Sequence, residues 1–480
     1  MKMCYNAIGM SAGGLEEAAS LGTPGGCAVR SGRTGCMIMR ELELTAEKMV
    51  AEGRALARPD GFVVFVEGAL PGERVRARIT QRKKSFAFAQ ALEVLEPSPD
   101  RQAPPCPVFG QCGGCAFQHM AYPAQLRAKH QILLEALYGL PGVPGIVAEP
   151  LGMAEPFHFR NKMGFAFGTA EGRPVLGLHR RGDWRTVVPA GTCLLQSPES
   201  REILARVLAF VQEHGLPVYD EEKQQGLVRH LVVREGKLTG ERMVHLHAAE
   251  RHAAFDRLPA VLGDLATTVL ASFHTLVPEA APPGSTAVLS GPGLIRERLN
   301  GFLFEIGPAT FFQTNTRQGE RLFGLVRDWA TGCRPARAVD LYAGTGPIAI
   351  HLASAASQVL GIESHAPSVD AACRNVELNG LTNVRMACAE AERVGDTLRG
   401  ERADLVVVDP PRPGLHPKAM AALLSAAPPH LIYVSCNPAT LARDLQKLIE
   451  AGYTLEAVQS LDMFPHTFHI EAVARLKKTR

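Results

Sequence analysis

A chain of 480 residues is long enough for roughly two or three domains. Its formal net charge of +3 excludes nucleic-acid binding through global charge, so such contacts have to come from local patches. With 46% apolar residues, mean hydropathy near zero and no apolar run of transmembrane length, an ordinary soluble, cytoplasmic globular protein is expected. Eleven cysteines are many for such a chain. The chain is too large for a disulfide-stapled scaffold and shows no secretory signal, so metal or catalytic use is the better reading for some of them.

Residues 1–40 are rich in Gly, Ser and Ala, hold Cys4, Cys27 and Cys36, and lack periodicity. A disordered extension is predicted, with Met39 a candidate natural start. Residues 41–99 read as a small β-rich module. Gly61–Val66 is a strand, Pro71-Gly72 a turn, and Arg74-Val75-Arg76-Ala77-Arg78-Ile79 alternates basic with apolar at period 2. One face is predicted to be buried and the other to show three arginines. Gln81-Arg82-Lys83-Lys84 extends the charge, and Phe86 and Phe88 open the next strand. Short strands so spaced predict an OB-like barrel, and basic residues beside aromatics suit a groove that tracks a nucleic-acid backbone. A merely solvated basic strand is the plainer alternative.

Residues 100–300 read as a central α+β domain. Cys106, Cys112 and Cys115 crowd into one Gly-rich loop, where glycine lets backbone wrap close to an ion. Cys193 is the best candidate for a fourth ligand, and His119 is an alternative in a zinc site. Four Cys suit either structural zinc or an iron–sulfur cluster, and the ligand types leave that choice open. Phe157–Lys162 reads as a strand with Arg160 and Lys162 on one face, suited to phosphates or simply to solvent. His245 and His247 read as ordinary strand residues, and Pro282-Pro283-Gly284 as a loop.

Residues 301–480 carry the chemistry. Val339-Asp340-Leu341-Tyr342-Ala343-Gly344-Thr345-Gly346-Pro347 is strand, Gly-rich turn and helix start, and Val359–Glu363 is a second strand ending in an acid. That spacing resembles the ribose-binding acid of βαβ nucleotide folds. The third glycine of a dinucleotide site is absent, so an adenosyl ligand without pyrophosphate, S-adenosylmethionine, fits better. Asp404–Gly414 is another buried strand that ends in Asp409-Pro410-Pro411-Arg412-Pro413-Gly414. Arg412 stands where methyltransferases of amino groups usually place an aromatic, which argues against an exocyclic amine target. Leu431–Val434 is a strand stopped by Ser435-Cys436-Asn437-Pro438, which sets the Cys436 thiol on a loop at a strand's C-terminal end, where ligands of open α/β sheets sit. A free thiol there is either a nucleophile or a small buried residue.

The Asp-Pro-Pro-Arg-x-Gly string, the spacer, Leu431–Thr440 and Phe464-Pro465-His466-Thr467-Phe468-His469-Ile470-Glu471 together resemble the signatures of the RNA uracil-5 methyltransferase family, closest in layout to its 23S ribosomal RNA branch of the RlmD type. Phe311-Phe312-Gln313-Thr314-Asn315 resembles its cofactor-entry motif. The resemblance runs from about Glu41 to the end. It implies a TRAM domain over the β-rich module, a Rossmann-like methyltransferase domain at the C-terminus and a [4Fe–4S] cluster on Cys106, Cys112, Cys115 and Cys193. It implies Cys436 as nucleophile and Glu471 as base, with Gln313, Tyr342, Gly344, Glu363 and Asp409 at the cofactor. The chain departs from the family at Ala343, often Cys, at Phe468, often His, and at Pro347, often Asn or Thr. The implied reaction is methyl transfer to carbon 5 of a uridine in 23S ribosomal RNA by a monomer. The T-loop uridine of transfer RNA, or a non-catalytic RNA-binding assembly factor, are the alternatives. Cytosine-5 chemistry wants another cysteine pattern around the proline-rich motif, which is absent.

Overall fold

The computed structural model describes residues 41–276, 284–390 and 394–479. The extension 1–40 and Pro282-Pro283 lie outside the described residues. The first sheet has six strands, β1 (Glu41–Thr45), β2 (Lys48–Met49), β3 (Ala55–Ala57), β4 (Val63–Glu67), β5 (Arg74–Arg82) and β6 (Phe86–Glu96). Their order is β1-β5-β6-β4-β3-β2, with β4 and β6 parallel and the other pairs antiparallel. Strand β5 alternates as expected, with Val75 and Ala77 buried and the arginines outside. The arginines are not free, however. Arg74 pairs with Glu43 and Glu96 at 2.8 and 2.9 Å, Arg76 with Glu93 at 2.6 Å, and Arg78 with Glu41 at 2.8 Å. The partners come from β1 and β6, so cross-strand neighbours neutralise a stripe that looked basic in one dimension.

Helix α1 (Tyr122–Ala136) and strand β7 (Val147–Leu151) follow, and both are built into the C-terminal body. A seven-stranded sheet comes next, from β8 (Lys162–Ala170), β9 (Arg173–Arg180), β10 (Asp183–Pro189), β11 (Val228–Glu235), β12 (Arg242–Ala248), β13 (Thr268–Phe273) and β14 (Thr286–Ser290). Helices α2 (Pro198–Glu213) and α3 (Leu258–Leu262) cover one face through Ile203, Val207, Phe210 and Leu258. His245 and His247 are strand residues of β12, their rings 4.1 Å apart. Burial pushes His245 down to about 3, so it stays neutral and bonds Ser272 at 2.7 Å.

Phe157–Lys162 is not one strand. His158 takes φ +55°, and β8 begins only at Lys162. The backbone N–H groups of His158 and Arg160 donate instead to Leu194 and Leu195, and that of Asn161 to Thr314. The segment therefore joins the Cys193 loop to the Phe311–Asn315 loop, and Arg160 and Lys162 do not share a strand face.

A hairpin of β15 (Ile295–Leu299) and β16 (Phe302–Ile306) leads through helix α4 (Thr316–Cys333) into the last sheet. There β17 (Arg337–Leu341), α5 (Pro347–Leu352), β18 (Gln358–Glu363), α6 (Ala366–Leu378), β19 (Val384–Cys388), α7 (Val394–Glu401), β20 (Leu405–Val408), α8 (Pro417–Ala426), β21 (His430–Ser435), α9 (Pro438–Glu450), β22 (Tyr453–Leu461) and β23 (Glu471–Lys478) follow one another. The strand order is β19-β18-β17-β20-β21-β23-β22-β7, parallel through β21 and antiparallel at β23. Helices α4 to α6 pack on one face and α1 with α7 to α9 on the other, the layering expected of a doubly wound sheet. Strands β17, β20 and β21 are almost wholly buried, which is why they read as continuous apolar runs. Among the described residues no helix is long and apolar enough to cross a membrane.

Candidate active site

The parallel registers align Leu341 with Ile362 and Val408, and Val408 with Tyr433. Tyr342, Glu363, Asp409 and the loop after Ser435 consequently emerge at one C-terminal edge, where the strand order reverses. Strand β23 then returns antiparallel with Ala472 opposite Ser435. This pairing brings Glu471 beside Cys436, although 35 residues separate them.

The Asp409–Gly414 loop is pinned to the first turns of α9. Asn437 caps that helix by accepting from the Ala439 N–H, and its Nδ2 donates to the Arg412 carbonyl at 3.2 Å. The Thr440 hydroxyl donates to the same carbonyl, and Arg443 to that of Pro413 at 2.9 Å. Asp444 accepts from the Leu415 N–H and the Tyr433 hydroxyl. Gly414, at φ +81°, passes so close that a Cβ would stand 2.5 Å from Arg443 and Asp444 side-chain atoms. Only glycine fits this turn.

The electrostatics of this edge are unusual. Burial, then Glu471 and Asp409, push the Cys436 thiol up to about 12, and Arg412 opposes them. Burial raises Asp409 to about 7. Burial and Asp409 raise Glu471 well above the carboxylate range, again against Arg412. Arg412 is exposed, and its guanidinium lies 2.6 Å from His469 Nδ1. Three ionisable groups and one cation thus meet at a single strand edge, the pattern of a site where protons and nucleophiles are handled.

At the Gly-rich turn, the Gly344 N–H donates to Glu363 Oε2 at 3.1 Å, and the His365 N–H to Oε1 at 2.8 Å. Tyr342 sits at φ +65° in the same turn. Pro347, the departure noted above, occupies the first turn of α5 after Gly346, where the fixed φ of proline suits a helix start and a missing N–H leaves no gap. Gln313 is buried, its carbonyl accepting from Asn161 at 2.9 Å. The Thr345 hydroxyl reaches the Phe311 carbonyl at 3.4 Å, so the Phe311–Asn315 segment runs beside the Gly-rich turn.

Cys106, Cys112, Cys115 and Cys193 line one small cavity with Phe109, Leu178 and Leu195. Cys112 accepts from the Gly114 N–H at 3.3 Å and Cys115 from Gln118 Nε2 at 3.2 Å. Burial pushes Cys115 up to about 12 and also raises Cys112 and Cys193. Among the described residues, no group of three or more His, Cys, Asp or Glu is arranged to hold a metal ion. His119, the alternative ligand, packs on Phe109 with ring centroids 5.3 Å apart.

Sequence reasoning missed what joins these two sites. The N–H groups of Ala116 and Phe117, next to Cys115, both donate to the His466 carbonyl, at 2.8 and 2.9 Å. Gln125 holds His466 from the other side. Lys129 is almost fully buried and bonds Asp462 at 2.6 Å and the Phe464 carbonyl at 3.0 Å, with Tyr122 also on Asp462. The segment leading into Glu471 is therefore clamped by the cysteine loop and α1. The one signal in the sequence was Gln125 and Lys129, four residues apart and so on one side of α1 among its buried residues.

A doubly wound sheet with a Gly-rich turn, a following acid and a proline-rich loop at its switch point defines the class, an S-adenosylmethionine-dependent methyltransferase. Residues 296–479 match the family described as tRNA (Uracil-5-)-methyltransferase, and residues 37–92 match the TRAM domain. A Gloeobacter violaceus protein named as an uncharacterized RNA methyltransferase is 39% identical over 90% of this chain and 95% of its own. One of the same name from Halalkalibacterium halodurans is 36% identical over 91% and 96%. The Pyrococcus abyssi tRNA (uracil-54, C5)-methyltransferase, solved with S-adenosyl-L-homocysteine, superposes with a TM-score of 0.72 at 29% identity, covering 91% of this chain and all of that one. The chain belongs to the RNA uracil-5 methyltransferase family.

Proposed function

We propose that the protein methylates carbon 5 of a uridine in 23S ribosomal RNA through a transient bond between Cys436 and the base. The observation that carries this reading is the meeting of Cys436, Glu471, Asp409 and Arg412 at one strand edge. Carbon 5 of uracil is a poor nucleophile. Addition of the Cys436 thiolate to carbon 6 moves the ring's π electrons toward oxygen 4, and the enolate so formed makes carbon 5 carbanion-like. S-adenosylmethionine supplies the electrophilic methyl group when bound, and Gln313, Tyr342, Gly344, Glu363 and Asp409 are the residues that would hold it. Carbon 5 then carries both methyl and hydrogen. Glu471 removes that proton, the ring double bond re-forms, and the carbon–sulfur bond breaks to return the thiolate. Burial raises Glu471, which makes its ionised form a stronger base for that proton. The uridine has to leave its stack for a thiol to reach carbon 6, and RNA loops offer such bases.

We read the four thiols, which line one cavity, as the candidate ligands of a [4Fe–4S] cluster. Apart from Gln118 the rest of the lining is apolar, and two of the sulfurs accept N–H hydrogen bonds, as ligating thiolates commonly do. Cys106, Cys112, Cys115 and Cys193 would hold the cluster in a structural or RNA-facing role, since methyl transfer needs no electron. The working protein is read as a cytoplasmic monomer of three parts, 41–99, 100–300 and 301–480, after an extension of 40 residues, with α1 and β7 of the middle part packed into the last.

The similarity to a uracil-54 transfer RNA enzyme supports a second reading, the same chemistry on the T-loop uridine. Mapping 5-methyluridine in ribosomal and transfer RNA from a deletion strain decides between them. Loss of one 23S position is expected, whereas loss of the T-loop signal alone would overturn the ribosomal reading. Anaerobically purified protein is expected to carry iron and sulfide in equal amounts, and a colourless, zinc-loaded protein would reject the cluster.

A further inference from the structure

The first sheet has a second outward patch, distinct from its Arg–Glu ladder. Along β4 and β6 the inward positions are Val64, Val66, Ala87 and Ala89, all buried. The outward positions are Phe65, Phe86 and Phe88, each half-buried. Parallel pairing sets Phe65 opposite Phe88. The three rings form a close triangle, with centroids 5.4 to 5.7 Å apart. The Arg54 guanidinium lies 4.7 Å from the Phe88 centroid, and Arg82 lies 5.0 Å from that of Phe62. Lys83 and Lys84 follow, both exposed. Glu52 pairs with Arg54 at 2.5 Å, which leaves Arg82, Lys83 and Lys84 to set the sign of the rim. Water-facing positions of a small antiparallel-rich sheet are ordinarily polar, so a triangle of rings edged by cations is a built surface.

The patch is continuous with the active site. Gly53, at φ +76°, lies where a Cβ would stand 3.3 Å from both Phe468 and Phe117. Arg54 is the next residue, and Phe468 precedes Glu471 by three. Arg54, which lies over Phe88, is thus one residue from the contact with the segment that leads into Glu471.

We propose that this shelf stacks about two or three unpaired nucleotides beside the target uridine, a claim that rests on the RNA reading of the site. Bases lie on Phe65, Phe86 and Phe88, and Arg82, Lys83 and Lys84 follow the phosphates. Every base has a π-face, so such a shelf accepts any sequence. A duplex keeps its base faces inside and offers the rings nothing, so the occupant is single-stranded. The shelf makes the structure around the target, rather than its sequence, part of the specificity.

The test uses the full-length protein with two RNA probes of equal sequence around the mapped uridine. In one the flanking nucleotides are unpaired, and in the other a complementary strand pairs them. Binding is read by fluorescence anisotropy and methyl transfer separately. The F86S/F88S double variant is expected to weaken binding of the unpaired probe by about tenfold or more, raising KM more than it lowers kcat. The paired probe is expected to bind wild type and variant alike. The exposed pair K83Q/K84Q leaves the core untouched and is expected to reduce the slope of log Kd against log salt by about 1.4. Unchanged Kd in F86S/F88S together with an unchanged salt slope in K83Q/K84Q would overturn the shelf. A wild-type protein that binds the unpaired probe, with that loss in F86S/F88S, but methylates no uridine would uphold the shelf and overturn the reading of the site.

Discussion

Cys436 and Cys115 are both pushed up to about 12 by burial, yet their company differs. Around Cys436 stand two carboxyl groups and Arg412, at the mouth of a strand edge. Around Cys115 stand other thiols, a side-chain amide donor and an apolar wall. Burial therefore does not distinguish a nucleophile from a ligand. A lone thiol beside ionisable carboxyl groups and a cation is placed as the proposed nucleophile needs, whereas four thiols around one cavity repel each other's charge when ionised unless a cation joins them.

If Cys436 is dispensable, the two thiols do not differ in role. Cys436→Ala is expected to lower methyl transfer by about 10⁴-fold or more while RNA affinity, read by anisotropy, stays within a few-fold. Equal activity in the variant would place Cys436 with the inert thiols. The next largest effect concerns pH. The reacting form is the thiolate and burial holds the thiol high, so single-turnover methyl transfer is expected to climb by up to tenfold per pH unit from about pH 7 to 9. Arg412 favours the thiolate, so Arg412→Gln is expected to shift the profile downward along its length. A flat profile would mean the thiol is already ionised in the complex. The smallest effect sharpens the other side of the comparison, the clamp between the cysteine loop and the catalytic segment. Lys129→Met leaves Asp462 buried beside Tyr122 without its cation, which is expected to cost about 3–5 kcal/mol in denaturant unfolding. A loss under about 1 kcal/mol would show that the pair contributes little to holding that segment.

Much of the catalytic edge was legible because it is local. Leu431–Val434 reads as strand, Ser435 as its end and Asn437-Pro438 as a turn, and β21 does end at Ser435, with Asn437 turning the chain as the cap of α9. The Gly-rich turn and the acid at Glu363 are legible for the same reason. What depends on distant pairing was not. The arginines of β5 looked free because Glu41, Glu43, Glu93 and Glu96 lie on other strands. Phe157–Lys162 looked like a strand because alternation does not reveal that His158 turns left-handed to meet the Cys193 loop. The Lys129–Asp462 pair spans 333 positions and has no sequence signature. Strand β7 and helix α1, read with the central region, join the C-terminal body because β7 pairs with β22 and Leu133 of α1 and Leu137 at its C-cap enter its core, while Ala124 and Ile132 of the same helix pack on the first sheet.

The proposed chemistry requires a carbon–sulfur bond to Cys436 that forms and breaks in each turnover. Its most direct measurement is mass spectrometry, under denaturing conditions, of Glu471→Gln incubated with S-adenosylmethionine and RNA containing the mapped uridine. Removal of the base is predicted to trap a methylated RNA–protein adduct whose mass maps to Cys436 and which is absent from the C436A/E471Q double variant. Normal turnover by Glu471→Gln, or an adduct that survives loss of Cys436, would contradict the account.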